Sequence, residues 1–262
     1  VKLSTQTVLI TGGSRGIGWA LAERFLKGGA KTLLVARSFP EDEAPAKAAK
    51  DNPDLVLLPC DLSKPVERKA LCAKLLNDFD VDILVNNAGV LSGGLLQTLD
   101  PDGIETCIQV NLLASIQLSR ALLPKMLEKK SGVIINNASV SAEFYFPGAQ
   151  VYAASKAGLS LFTKSLAMEL EGTGVRTLLL LTPGVKTKMY DDIQNRYGSF
   201  MKLDFLAAVT PEAWADRVFD SLEKEEKICY PSGKDRMGLF INRHFPSLYE
   251  KGMRSYFKGE EV

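Results

Sequence analysis

Thr11-Gly-Gly-Ser-Arg-Gly-Ile-Gly18 decides how this chain is read. It closes a short apolar run, Thr7 to Thr11, and opens an amphipathic stretch reaching about Lys27, so strand, glycine turn and helix come in that order. Gly12, Gly16 and Gly18 let the backbone turn tightly and approach a pyrophosphate, whose charge the free N–H groups and dipole of a helix N-terminus stabilise. Ser14, Arg15 and Ile17 are carried in the same turn. A glycine cluster alone is only a tight turn; its place after a first buried strand makes it a candidate nucleotide site.

Further apolar runs follow at Thr32 to Ala36, Leu55 to Cys60, Ile83 to Asn86, Val133 to Ala138 and Val175 to Thr182, with amphipathic segments between them. Strands apolar on both faces and separated by helices predict right-handed crossovers and a parallel sheet covered on both sides. The expected fold is α/β, a Rossmann-type doubly wound sheet of about seven strands, over residues 1–230. After Pro231 the rhythm gives way to Met237-Gly-Leu-Phe-Ile-Asn-Arg-His-Phe-Pro-Ser-Leu-Tyr, so residues 231–262 are expected to form a C-terminal helical extension packed on the same domain or on a partner subunit.

Composition excludes several classes. The 262 residues are 46% apolar and 24% charged, enough for one large core. Thirty-two basic against 31 acidic residues leave none of the positive field of a nucleic-acid binder. Cys60, Cys72, Cys107 and Cys229 show no metal or redox spacing and read as reduced thiols of a cytoplasmic protein. One histidine, His244, leaves no His-rich metal site, and pairs such as Asp191-Asp192 read as solvated helix-start charges. No stretch reaches the roughly 20 apolar residues of a membrane span, and the N-terminal residues have no signal-peptide pattern. The first residue is Val1 rather than Met, so a leader ahead of it stays open.

Ser139 precedes Tyr152 and Lys156, and the last two are four apart within Val151-Tyr-Ala-Ala-Ser-Lys-Ala-Gly-Leu, on one helix face. A phenol titrates near about 10, and a fixed ammonium beside it favours the phenolate. Taken alone, the spacing is that of an ordinary surface pair.

The motifs together are more specific. Thr-Gly-x-x-x-Gly-Ile-Gly, Asn86-Asn-Ala-Gly89, Asn111, Ser139, Tyr152 with Lys156, and Pro183-Gly184 occur in the order and at the intervals of the short-chain dehydrogenase/reductase family, which the chain resembles from about residue 5 to 225. The resemblance implies that Tyr152 gives its proton to a carbonyl oxygen as hydride arrives from a nicotinamide. By the same resemblance Lys156 lowers the tyrosine pKa and binds the nicotinamide ribose, Ser139 steadies the oxygen, and Asn111 helps hold a proton-relaying water. It further implies that Asp61, with Leu62 beside it, holds the adenine, that Asn87, Ala88 and Gly89 line the adenine ribose side, and that Pro183, Gly184, Val185 and Thr187 meet the nicotinamide half. These roles agree with the chemistry, since donors aimed at a developing oxyanion assist hydride transfer.

NAD-preferring enzymes place an acid at the end of the second strand, where this chain has Ala36. Arg37 and Ser38 follow, and Arg15 stands in the glycine turn, so two guanidinium groups and a hydroxyl are available for a 2′-phosphate. NADPH is the expected cofactor, and carbonyl reduction the expected direction. Val140, Ser141, Phe144, Tyr145, Phe146, Ala149 and Gln150, with Met189, Tyr190 and Ile193 on a lid, predict an apolar and aromatic pocket for a hydrophobic ketone, aldehyde or secondary alcohol. An alternative is that Phe144 to Phe146 only pack under the lid.

Leu112 to Leu127 and Tyr152 to Leu170 are apolar around more than half their circumference and predict a homodimer through these helices, with a tetramer left open. The tail from Pro231 to Lys258 carries six basic residues against Asp235 and Glu250 among many aromatics. It is read as covering its own subunit or the cleft of its partner, in preference to touching an anionic membrane. Two rivals remain: a noncatalytic NADPH sensor or scaffold on the same fold, and a serine hydrolase using Ser14 in Gly12-Gly-Ser-Arg-Gly16 with the distant His244.

Overall fold

The computed structural model describes residues 3–203 and 208–257. Its frame is a seven-stranded, all-parallel sheet in the order β3-β2-β1-β4-β5-β6-β9. The strands are β1 (Thr7–Thr11), β2 (Lys31–Ala36), β3 (Leu55–Pro59), β4 (Ile83–Asn86), β5 (Gly132–Asn137), β6 (Val175–Leu180) and the short β9 (Ile228–Cys229). The expected strands are all present, each within two residues of its predicted ends. A small parallel pair, β7 (Gly184–Val185) with β8 (Ala208–Val209), was not anticipated, because two-residue strands carry no readable alternation.

Successive strand residues point to opposite faces, and each face has its own helices. Val8 and Ile10 of β1 join Phe25 of α1 (Gly16–Lys27) and Trp214, Val218 and Phe219 of α8 (Pro211–Glu223) in one core, where the Phe25 and Phe219 rings lie 4.7 Å apart. Ala48 and Ala49 of α2 (Ala44–Asp51) reach the same side. Leu9 joins Leu71 and Leu75 of α3 (Pro65–Asp78), Leu118, Leu122 and Met126 of α5 (Ala114–Lys129), and Leu166 of α6 (Gln150–Glu169) in the other. Full burial of such side chains stabilises by about 2 kcal/mol each. The sheet is therefore apolar on both faces, as a doubly wound topology requires.

Helix starts obey local chemistry. Asp100 caps α4 (Pro101–Ile108) by accepting from Gly103 N at 3.1 Å, with Pro101 following it. Between α4 and α5 the turns widen into a π-helix, Gln109–Leu113, which carries Asn111.

The remaining helices gather over one end of the sheet: α7 (Lys188–Tyr197), α9 (Gly233–His244) and α10 (Pro246–Arg254). The inner faces of α9 and α10 rest on residues 143–146. Phe144 and Tyr249 stack with centroids 5.6 Å apart, Asn242 Nδ2 donates to the Glu143 carbonyl at 2.6 Å, and the Tyr145 hydroxyl donates to Glu250 Oε1 at 3.0 Å. Met253, Tyr256 and Phe257 pack against a cluster containing Tyr197, Phe200 and Met201. The tail thus covers its own subunit. Lys258 and the rest of the expected extension to residue 262 lie outside the described residues.

Candidate active site

A cavity of about 1000 Å³ runs across the C-terminal ends of the strands, where a doubly wound sheet leaves a crevice. Gly12, Ser14, Arg15, Gly16, Ile17, Arg37, Asp61, Leu62, Asn87, Ala88, Gly89, Pro183, Gly184, Val185 and Thr187 all line it, as expected. Two predicted cofactor residues do not. Gly18 is buried beneath the turn, and Ser38 is an exposed residue off the cavity wall.

The glycine turn is a cradle that side chains would fill. Gly12 and Gly16 have φ of +68° and +56°, which L residues adopt only with strain. A Cβ on Gly12 would come within 2.8 Å of Ala88 Cα, and one on Gly18 would collide with the Gly12 carbonyl oxygen. Arg15, exposed, stands at the N-cap of α1, and Arg37, also exposed, directly follows β2. Burial works against ionisation of Asp61, but hydrogen bonds from Ser63 and the charges of Lys64 and Arg37 outweigh it and hold the carboxyl below its usual range. The neighbouring glycine motif is braced from behind. Thr11 Oγ1 accepts from Asn87 N and Ala88 N at 3.0 Å, Asn87 Nδ2 donates to Thr11 O at 2.9 Å, and Asn137 Nδ2 donates to Asn87 Oδ1 at 2.8 Å. Asn137, which the sequence reading missed, continues this rail by accepting from the Thr182 hydroxyl.

Midway along the cavity, Ser139, Tyr152 and Lys156 converge on its wall. Ser139 follows β5 and stands near enough to the Tyr152 phenol for its hydroxyl to favour the phenolate. Tyr152 and Lys156 are one turn apart on α6, with Lys156 Nζ 5.9 Å from the Tyr152 ring centroid. The ammonium is buried and donates to Asn137 O at 2.7 Å. Burial pushes Tyr152 up to about 12, against the lowering effect of Ser139, while burial pushes Lys156 down to about 8. Desolvation opposes the charged form of each group and favours the protonated phenol.

Asn111 is not on the cavity wall but fully buried behind it. Its Oδ1 accepts from Val90 N at 2.8 Å, and its Nδ2 faces Val90 O and Ser155 Oγ at 3.0 Å each and Cys107 Sγ at 3.3 Å. A Cβ on Gly89 would lie 3.5 Å from both Asn111 Oδ1 and Lys156 Nζ, so only a glycine separates the two groups.

Val140, Ser141, Phe144, Phe146, Met189, Tyr190 and Ile193 line the cavity. Gln150, Tyr145 and Ala149 do not: Gln150 is exposed at the start of α6, Tyr145 points out to Glu250, and Ala149 is buried in a separate cluster. Missed were Tyr197, seven residues beyond Tyr190 on the same helix face, and Lys234, Asp235, Gly238, Tyr249 and Met253 from α9 and α10. The heptad interval offered a signal for Tyr197; the tail residues had none. Thr187 also caps α7, accepting from Tyr190 N at 3.4 Å. Ser14 lines the cavity but His244 does not, its ring instead lying against Phe240 at 4.5 Å, so the hydrolase pair is not assembled.

The chain is similar to known proteins in sequence and fold. A 3-oxoacyl-acyl-carrier-protein reductase FabG of Rickettsia prowazekii is 35% identical over 197 residues, 75% of this chain and 79% of that protein. A short-chain dehydrogenase from Sphingobium yanoikuyae, solved in complex with NADPH, is 26% identical with a TM-score of 0.76 over 98% of both chains. A 4-hydroxyisoleucine dehydrogenase complexed with NADH is 25% identical with a TM-score of 0.74, over 85% of this chain and 93% of that one. Residues 6–198 match the family model for short chain dehydrogenases, and with the glycine turn, the crevice and the sheet order in agreement, the chain belongs to the short chain dehydrogenase family.

Proposed function

We propose that the protein is an NADPH-dependent reductase of a ketone or aldehyde on a hydrophobic small molecule, running in reverse as a secondary-alcohol dehydrogenase. The observation that carries the reading is the convergence of Ser139, Tyr152 and buried Lys156 on one stretch of the cavity wall. The dinucleotide, when bound, supplies the hydride. A phenol held protonated is suited to donate to the carbonyl oxygen as negative charge develops there, with Ser139 as a second donor. Lys156 stabilises the resulting phenolate, and Asn111, on the other side of Gly89 from Lys156, helps hold a water that passes a proton to Lys156.

Relatives on this fold bind either dinucleotide, so the choice rests on this chain's own residues. No acid stands at Ala36, while Arg15 and Arg37 both line the adenosine end of the cavity. Phe144, Phe146, Met189 and Tyr249 suit an apolar substrate body. A homodimer through α5 and α6 is supported by Leu161 and Met168, seven residues apart on α6 and 67% and 79% exposed. No described helix is long and apolar enough to cross a membrane.

The test is oxidation of NADPH followed by absorbance across aliphatic, aromatic and steroid ketones, for the wild type and Tyr152→Phe. We expect turnover that the variant loses by about a hundredfold to ten-thousandfold while still binding NADPH. NADPH binding with no turnover on any ketone would favour a sensor, and turnover surviving in Tyr152→Phe would end the proposed role of the phenol.

A further inference from the structure

The two C-terminal helices are two-faced, and among the described residues their outer face has no partner in the subunit. Leu239 of α9 is buried, and Gly238 and Tyr249 turn toward the cavity. On the opposite side Met237 and Phe240 are 65% and 57% exposed, and at the start of α10 Phe245 and Leu248 are 55% and 61% exposed. At 100° per residue Met237, Phe240 and His244 fall on one stripe of α9. Arg236 and Arg243 flank that stripe on one side and Lys234 on the other, all exposed.

Charge identifies the occupant. Residues 233–257 contain five Lys or Arg against two acids, in a chain whose net charge is only +1. Both acids are committed: Asp235 lines the cavity, and Glu250 accepts from the Tyr145 hydroxyl. An apolar stripe edged by cations, with Asp235 on the cavity side and Glu250 bonded to Tyr145, is the pattern that seats in an anionic lipid interface. A second copy fits less well, because a symmetric contact would set the same cations against one another. The four side chains also expose on the order of 500 Å², short of the roughly 800 Å² per partner of a standard interface.

We propose that the outward face of α9 and α10 docks on an anionic phospholipid surface. The same helices wall the cavity, so docking brings the cavity to the phase in which apolar carbonyl compounds dissolve. Docking does not depend on the proposed reaction, and its readout is independent of turnover.

The experiment is co-sedimentation of the full chain with vesicles of phosphatidylcholine alone and with phosphatidylglycerol added, at low and high salt. We expect binding to the anionic vesicles only, weakened by salt, and reduced about tenfold or more in Phe240→Ser/Leu248→Ser. Arg236→Glu/Arg243→Glu should lose it as well. NADPH titration and thermal melting verify that both variants fold. No binding to anionic vesicles at low salt, or binding unchanged in the first variant, overturns the proposal. So does a wild-type dimer that this variant splits in light scattering without any vesicle binding, which would make the face a self-contact.

Discussion

The floor and the roof of the cavity are built by different means. The floor comes from strand ends and the turns after them, within residues 6–198 that match the family model, and is locked by backbone conformation and buried amide hydrogen bonds. The roof comes from α9 and α10, outside the matched residues, and is held by an aromatic stack, a tyrosine–glutamate hydrogen bond and a few apolar contacts. Under the proposed function, the contrast assigns chemistry and cofactor placement to the part that tolerates least movement, and substrate fit to the part that is cheapest to alter.

Substitutions test that division, beginning with the largest effect. Lys156→Met should cut turnover by at least about a hundredfold. It should also leave a pH signature in stability. The folded-state lysine titrates near 8 instead of 10.5, so the unfolded chain binds more protons between those values and wild-type stability rises with pH across that window. The wild type should therefore gain on the variant by on the order of 3 kcal/mol between pH 8 and 10.5 in denaturant titrations. A constant difference would mean the ammonium is not desolvated.

Next comes the glycine turn. Gly18→Ala places a methyl against the Gly12 carbonyl and should cost about 3 kcal/mol of stability along with NADPH binding. If binding survives, the floor is softer than its contacts suggest. Arg15→Ala and Arg37→Ala are expected to weaken NADPH binding by roughly tenfold each and leave NADH nearly unchanged, read by fluorescence titration with both. Equal losses for the two cofactors would remove the 2′-phosphate assignment. The smallest effect belongs to the roof: Tyr249→Ala breaks the Phe144 stack for about 1 kcal/mol and should raise the substrate KM a few-fold, with kcat and NADPH binding unmoved. A large fall in kcat would show that the roof takes part in the chemistry.

Legibility in the sequence followed the range of the interactions involved. The strands were readable because burial on both faces writes runs such as Val-Leu-Ile at 8–10 directly into composition. Gly12 and Gly16 were readable because their conformations exclude other residues. Tyr145, Ala149 and Gln150 were expected on the cavity wall and lie off it, Gln150 because the start of α6 turns it outward. A neighbouring charge was the local signal for a depressed Tyr152 pKa, and burial of the phenol, which works the other way, is set by the whole site.

By itself the sequence determined the sheet, the phosphate turn and the Tyr152–Lys156 spacing, because each is set by periodicity or by residues within a few positions of one another. Tertiary structure alone decided that Asn111 stands behind the wall, that Lys156 is buried, and that Tyr249 closes over Phe144, 105 residues away. Burial and contact at that separation depend on where the chain returns in space, and no local pattern records it.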